Sequence, residues 1–250
     1  MSQDKDKTDK DNENTLESVM LPDIIPIFPL PGAILMPRST LPLNIFEPRY
    51  LDMVKDALVG NKLIGMIQPI HTEDDLGDDD DEDPKLYTVG CIGRIVEHEE
   101  TSDGRVLIAL KGVCRFKVKQ ELESITPYRL VQIDWQSYLA DMQTFAPIEG
   151  DSESAIEKDR LLSCLKTYLK VKGITADWQA IAKSPDEVMV NTLSMIIRVS
   201  VPEKQLLLEA STIKDRADTL ITLLDMMALM SNNNEDPDGD DSDEPDNIIN

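Results

Sequence analysis

The chain has 250 residues and a formal charge of −23, from 25 Lys and Arg against 48 Asp and Glu. Twenty of those negative charges fall in residues 1–20, 73–83 and 231–250, which leaves the other 199 residues nearly neutral at −3. A neutral body with polyacidic attachments offers no extended cationic surface to neutralise phosphates, so it argues against nucleic acid as the main ligand, and its field repels an anionic membrane surface.

Residues 1–21 and 231–250 read as disordered acidic tails, because low hydrophobicity and like charge oppose collapse. The start is polar throughout and lacks the apolar stretch of a secretory signal, and no apolar run is long enough to span a bilayer. Cys91, Cys114 and Cys164 lack C-x-x-C spacing and read as buried, reduced thiols, in keeping with a cytoplasmic protein.

From Pro22 to Tyr138 the pattern is mostly β. Strands are expected at Ile24–Leu30, Leu41–Phe46, Lys62–Ile70, Gly90–His98, Arg105–Leu110, Val113–Val118 and Arg129–Ile133, with Asp103-Gly104 closing a tight hairpin. A helix interrupts them, started by Pro48, spaced by Tyr50, Leu51, Val54 and Leu58, and stopped by Gly60. The acidic run Glu73–Asp83 lies between strand patterns and reads as a solvated loop over 73–84.

After Ile148 the period becomes helical. Ser154 and Glu157 suggest a capping box ahead of Leu161–Leu169, with Gly173 as the stop, and Ser184-Pro185-Asp186-Glu187 suggests a second helix start. Pro202–Ala210 and the apolar stripe from Ile213 to Ala228 complete four short helices. The pattern gives an α+β chain: a β-barrel or curved-sheet domain over 22–146 and a C-terminal α-helical bundle over 147–230.

Motifs for chemistry are incomplete. Gly60 to Gly65 has the glycines of a phosphate loop, but Met66-Ile67 stand where Lys and Ser or Thr are required. Ser163 and Lys166 share S-x-x-K spacing without supporting elements, and the plain reading is an exposed helix face. His71 and His98 are in no zinc pattern. Asn234 to Gly239 imitates half of a calcium loop whose twelfth position is Pro245, and Asp78–Asp81 read as solvated charge. The expectation is therefore no catalytic group, no cofactor and no metal.

Pro26-Ile27-Phe28-Pro29-Leu30-Pro31-Gly32, followed by Leu41-Pro42-Leu43-Asn44-Ile45-Phe46-Glu47-Pro48-Arg49-Tyr50, resembles the N-terminal, substrate-binding domain family of Lon proteases. Ile64–Pro69, Val89–Ile95, Gly112–Phe116 and Pro127–Arg129 resemble later family segments in the same order, and Pro185–Glu187 and Glu203–Glu209 are similar to the free-standing bacterial branch. The resemblance spans about residues 22–230 and implies a PUA-like β domain followed by a helical bundle. It also implies a capture module without the ATPase motor and Ser-Lys peptidase domain of the protease, neither of which is expected in a chain ending at Asn250.

The leading expectation is a non-enzymatic module that binds unfolded or extended polypeptide segments as an adaptor or regulator in protein quality control, with a protease or chaperone as a further partner. Candidate protein-binding residues are Pro31, Met36, Phe46, Pro48, Arg49 and Tyr50, on or beside expected loops. The competing reading of these residues is structural, with Phe46 and Tyr50 sealing the core and Glu47 pairing with Arg49. The alternative function is an independent peptidase or hydrolase using Ser163 or another nucleophile. RNA binding by analogy with other PUA-like folds is opposed by the charge distribution.

Overall fold

The computed structural model describes residues 21–70, 84–143 and 156–232. The expectations for the two tails, the run Glu73–Asp83, His71, Ser154 and the imitation calcium loop lie outside the described residues.

Alternating apolar side chains yield six strands: β1 (Ile24–Pro29), β2 (Thr40–Ile45), β3 (Leu63–Ile67), β4 (Val89–Glu100), β5 (Val106–Leu122) and β6 (Leu130–Asp134). β1 and β3 are parallel and the other neighbours antiparallel. β6 pairs with β1 on one side and with the distal part of β5 on the other, so β1, β3, β4, β5 and β6 close into a ring. β2 lies outside that ring on the proximal part of β5, contains Pro42, and has no strand on its far edge among the described residues. Register shifts at Ile92/Gly93 in β4 and Val118/Gln120 in β5 supply the local bending that closure requires.

The expected strands at Arg105–Leu110 and Val113–Val118 are one continuous strand, β5. Gly112 punctuates the sequence but not the ladder. A side chain there would run into the carbonyl of Met36, so the glycine permits a close crossing of the preceding loop.

Ile25, Ile27, Ile92, Phe116, Val131 and Ile133 belong to the buried cluster inside the ring. Phe116 crosses Gly65 and Gly90: a Cβ built on Gly65 would lie 3.0 Å from its ring, and one on Gly90 2.5 Å. These two glycines make room for the largest fully buried side chain in the interior.

α1 (Pro48–Val59) starts on its proline and stops at Gly60, as its spacing predicts. The helical part comprises α2 (Lys158–Val171), α3 (Trp178–Lys183), α4 (Asp186–Ile196), α5 (Val201–Glu209) and α6 (Ile213–Asn232). α3 was not expected; the Asp177 side chain caps it by accepting from the N–H groups of Gln179 and Ala180. Ser184 consequently ends α3, its hydroxyl donating to Ala180 O, and Pro185 takes the cap position of α4. Glu157 is likewise the cap residue of α2, pairing with Arg160, and the reciprocal capping box is instead Ser200 with Glu203 at α5. A short 3-10 helix, Gln136–Met142, links β6 toward the helical part.

One continuous apolar cluster joins the two parts: Met36 and Cys91 from the β side lie in it with Leu165, Met189, Leu207 and Leu224 from the helices. Each fully buried large side chain there contributes roughly 1.5–3 kcal/mol. The chain is thus α+β, a closed barrel followed by helices packed on its outer face. No helix among the described residues is long and apolar enough to cross a membrane.

Candidate protein-binding surface

The loop between β1 and β2 is pinned to the sheet. Gly32 adopts φ 72° and donates its N–H to Gln68 Oε1 at 3.1 Å. Further on, Arg38 N donates to Gly112 O and Gly112 N to Ser39 O, both at 2.8 Å. Leu35 presses on Gly93, where a Cβ would lie 2.8 Å from its Cδ2. Met36 is fully buried by this arrangement, whereas Pro31 stays exposed at the turn.

β2 then delivers Phe46 to the surface, 62% exposed, directly before α1. Pro48 at the first turn is exposed and Arg49 half-buried. Tyr50 points inward: it is 6% exposed and its ring centroid lies 4.3 Å from that of Phe28. Burial raises its pKa, with the positive charge of Arg49 opposing. The Arg49 guanidinium sits 4.7 Å above the Tyr50 ring and pairs with Glu47 at 3.0 Å. Of the six candidate residues, Phe46, Pro48 and Pro31 are solvent-facing and Arg49 is half-buried, whereas Met36 and Tyr50 are packed into the core and offer no surface to a partner.

Sequence reasoning missed a buried polar seam between barrel and helices. Arg115 on β5 forms a bidentate pair with Asp141 of the 3-10 helix, both bonds at 2.9 Å. Its Nη1 also donates to Ala210 O at 2.7 Å and Leu208 O at 3.1 Å, at the C-terminal end of α5. Burial works against the Arg115 charge, but hydrogen bonding and attraction from Asp141 outweigh it and raise the pKa. Gln68 reaches Gln205 Oε1 at 3.0 Å, and Gln205 donates to Val89 O at 3.0 Å. Arg216 of α6 donates to Leu207 O and Asn191 Oδ1, both at 2.8 Å, with burial, then the nearby Arg115 charge, pushing its pKa down to about 10. Arg38 bonds Glu187 of α4 and the carbonyl of Asp141. The available signal was polar residues inside apolar runs, such as Gln68 after Met66-Ile67 and Arg115 between Cys114 and Phe116.

Lys204 of α5 is 3% exposed and donates to Ser194 O at 2.8 Å and Met195 O at 2.6 Å, closing the end of α4. Burial pushes its pKa down to about 8. The three thiols are buried, and that burial, with other causes adding, raises Cys91 well above the usual range, Cys114 to about 12 and Cys164 to about 11. Neutral thiols of this kind are poor nucleophiles. Ser163 is exposed on α2, while Lys166 directs its Nζ at the Trp178 ring, 5.4 Å from the centroid. His98 is exposed on β4. Among the described residues no group of three or more His, Cys, Asp or Glu is placed to hold a metal ion.

A closed barrel with a pinned proline loop, an aromatic exposed beside it and helices locked to its outer face is the frame of this chain. Residues 24–226 match the model of the ATP-dependent protease La (LON) substrate-binding domain, and the chain belongs to that family. It is 32% identical over 211 residues to a Lon protease of Parabacteroides distasonis, covering 81% of this chain and 24% of that protein. With a Lon protease of Flavobacterium johnsoniae it shares 27% identity over 210 residues, 83% of this chain and 24% of the relative. The chain thus spans about a quarter of the length of these curated relatives. Two solved structures share the fold. A Lon N-terminal domain protein from Xanthomonas campestris has a TM-score of 0.51 at 20% identity, covering 80% of this chain and 97% of that one. The N-terminal domain of a Mycobacterium avium complex Lon protease has a TM-score of 0.56 at 12% identity, covering 81% and 98%.

Proposed function

We propose that this chain is a non-enzymatic protein-binding module of cytoplasmic protein quality control, which holds exposed apolar or extended polypeptide segments and needs no nucleotide. Membership of a substrate-binding family supports recognition of polypeptide. The single observation that carries the location is Phe46, a large aromatic left 62% exposed at the junction of β2 and α1. Aromatic and Arg side chains are enriched where proteins meet, and a rigid backbone beneath them lowers the ordering cost of binding. Phe46, Pro48 and Pro31 would touch the client, Arg49 would donate to its carbonyls, and Met36 and Tyr50 would hold this surface in shape. We read 22–146 as a PUA-like β unit and 147–230 as a helical unit fused to it through the shared apolar cluster. The acidic stretches add a preference for basic clients, and a protease or chaperone receives what is held.

The test is binding of the purified chain to an array of extended apolar peptides at low salt, with and without ATP. Micromolar retention that is insensitive to ATP and drops at least about tenfold, some 1.4 kcal/mol, in Phe46→Ser supports the proposal. Silence across the array sinks it. A fluorophosphonate adduct or casein cleavage that disappears in Ser163→Ala would establish the hydrolase reading in its place.

A further inference from the structure

A second surface feature lies at one mouth of the barrel and shares no residue with the Phe46 surface. An open pocket of about 490 Å³ forms where the start of β1, the first residues of β3 and the turn after β6 converge. That size is in the range of sites for small organic ligands. Its apolar wall comes from Leu21, Leu63 and Trp135, all members of the barrel-interior cluster.

Its polar rim carries one charge of each sign, Asp23 and Arg94. Arg94 of β4 is cross-strand partner to Leu63 and is steadied by Nη1 donating to Asn61 O at 3.1 Å. Asn61 is fixed in turn, its Oδ1 accepting from Leu63 N at 3.0 Å. Among the described residues the Asp23 carboxylate has no hydrogen-bond or ion-pair partner, and the remaining Arg94 nitrogens have none. Trp135 is 8% exposed, and its Nε1 is the one buried side-chain nitrogen or oxygen among the described residues that lacks a hydrogen-bond partner. That nitrogen is sealed behind the pocket wall, so its signal reports on the packing of the wall.

We propose that this pocket binds an apolar α-amino-acid head: an α-ammonium on Asp23, the adjoining carbonyl or carboxylate oxygen toward Arg94, and the side chain against Leu21, Leu63 and the Trp135 ring. A simple anion would face Asp23 and a simple cation would face Arg94; a ligand carrying both kinds of group one carbon apart satisfies the two together through charge-assisted bonds. The same head occurs in a free amino acid and at the N-terminus of a polypeptide. The inference stands apart from the Phe46 surface, since either can fail alone.

Nitrogen-15 NMR on the whole chain reads the site directly, because the protein has two tryptophans, Trp135 and Trp178. Trp135→Phe assigns the indole signals, and Trp178→Phe assigns them independently should the first variant unfold. L-leucine, Leu-Gly-Gly and N-acetyl-leucine are titrated to millimolar concentration. The expected result is a saturable shift of the Trp135 indole N–H, an unmoved Trp178, and binding of N-acetyl-leucine weaker by about tenfold or more, equal to 1.4 kcal/mol. Asp23→Asn, with unchanged circular dichroism, should produce a similar weakening. A response to leucine alone identifies the free amino acid as ligand, and a response to Leu-Gly-Gly identifies a polypeptide N-terminus. A Trp135 signal that moves with none of them, or equally with N-acetyl-leucine, overturns the proposal.

Discussion

The interior of the barrel and the seam between barrel and helices are equally buried but hold together by different physics. Inside the ring, Phe116 and a shell of aliphatic side chains fill space around two glycines, and shape is the constraint. Along the seam, Arg115, Gln68 and Gln205, and among the helices behind it Arg216 and Lys204, spend their donors on carbonyls and carboxylates of neighbouring elements. Such a seam adds little net stability over an apolar one but specifies a single docking geometry, since each partner is costly when left alone. The barrel should therefore accept volume-conserving changes, whereas the seam should not accept single ones.

The largest expected effect is at Arg115. Arg115→Met strands the Asp141 carboxylate in a buried site, and urea unfolding should show a loss of about 3–5 kcal/mol. Adding Asp141→Leu should return part of that loss; a single-variant loss below about 1 kcal/mol would refute the distinction between seam and interior.

Lys204 sharpens the comparison through pH. Its folded pKa of about 8 lies below the ordinary 10.5, so the unfolded chain binds the proton more tightly. Below about 8 both states carry the charge and the folded state bears the full burial cost; between about 8 and 10.5 that cost fades as pH rises. Native stability relative to Lys204→Met should therefore climb across this window by up to roughly 3 kcal/mol, and a flat difference would contradict it.

A smaller effect tests the interior. Gly65→Ala meets only side chains, Ile25, Ile27 and Phe116, and should cost about 1–3 kcal/mol. Phe116→Leu in the same chain should relieve much of that overpacking, so the two changes together should cost less than their sum in a thermal melt. The smallest effect belongs to the surface: Phe46→Ser should leave stability within about 0.5 kcal/mol while removing peptide binding.

How legible these features were follows from their range in sequence. α1 was readable because Pro48, the apolar spacing and Gly60 all act locally. The extents of the strands were readable where alternation alone sets them, as in β6. The continuity of β5 was not, because the reason for Gly112 lies with Met36, 76 residues away in sequence and in contact only after folding. α3 was hidden because Asp177 and Ser184 cap a helix of six residues that buries no side chain, leaving no apolar stripe to see. Among the candidate surface residues, the exposure of Phe46 and the burial of Tyr50 could not be separated by composition. They differ in whether the backbone turns them toward Phe28, which is a property of the packed chain.

Pro42 bears on how the open side of the sheet meets other chains. β2 pairs with β5 on one side and has no strand on the other among the described residues, the sort of template on which unravelled chains stack into fibres. A proline in the middle of that strand removes one rung donor, and an incoming chain finds an interrupted ladder instead of a continuous one. Were the chain to hold half-unfolded polypeptide as proposed, that break would keep it from seeding cross-β deposits.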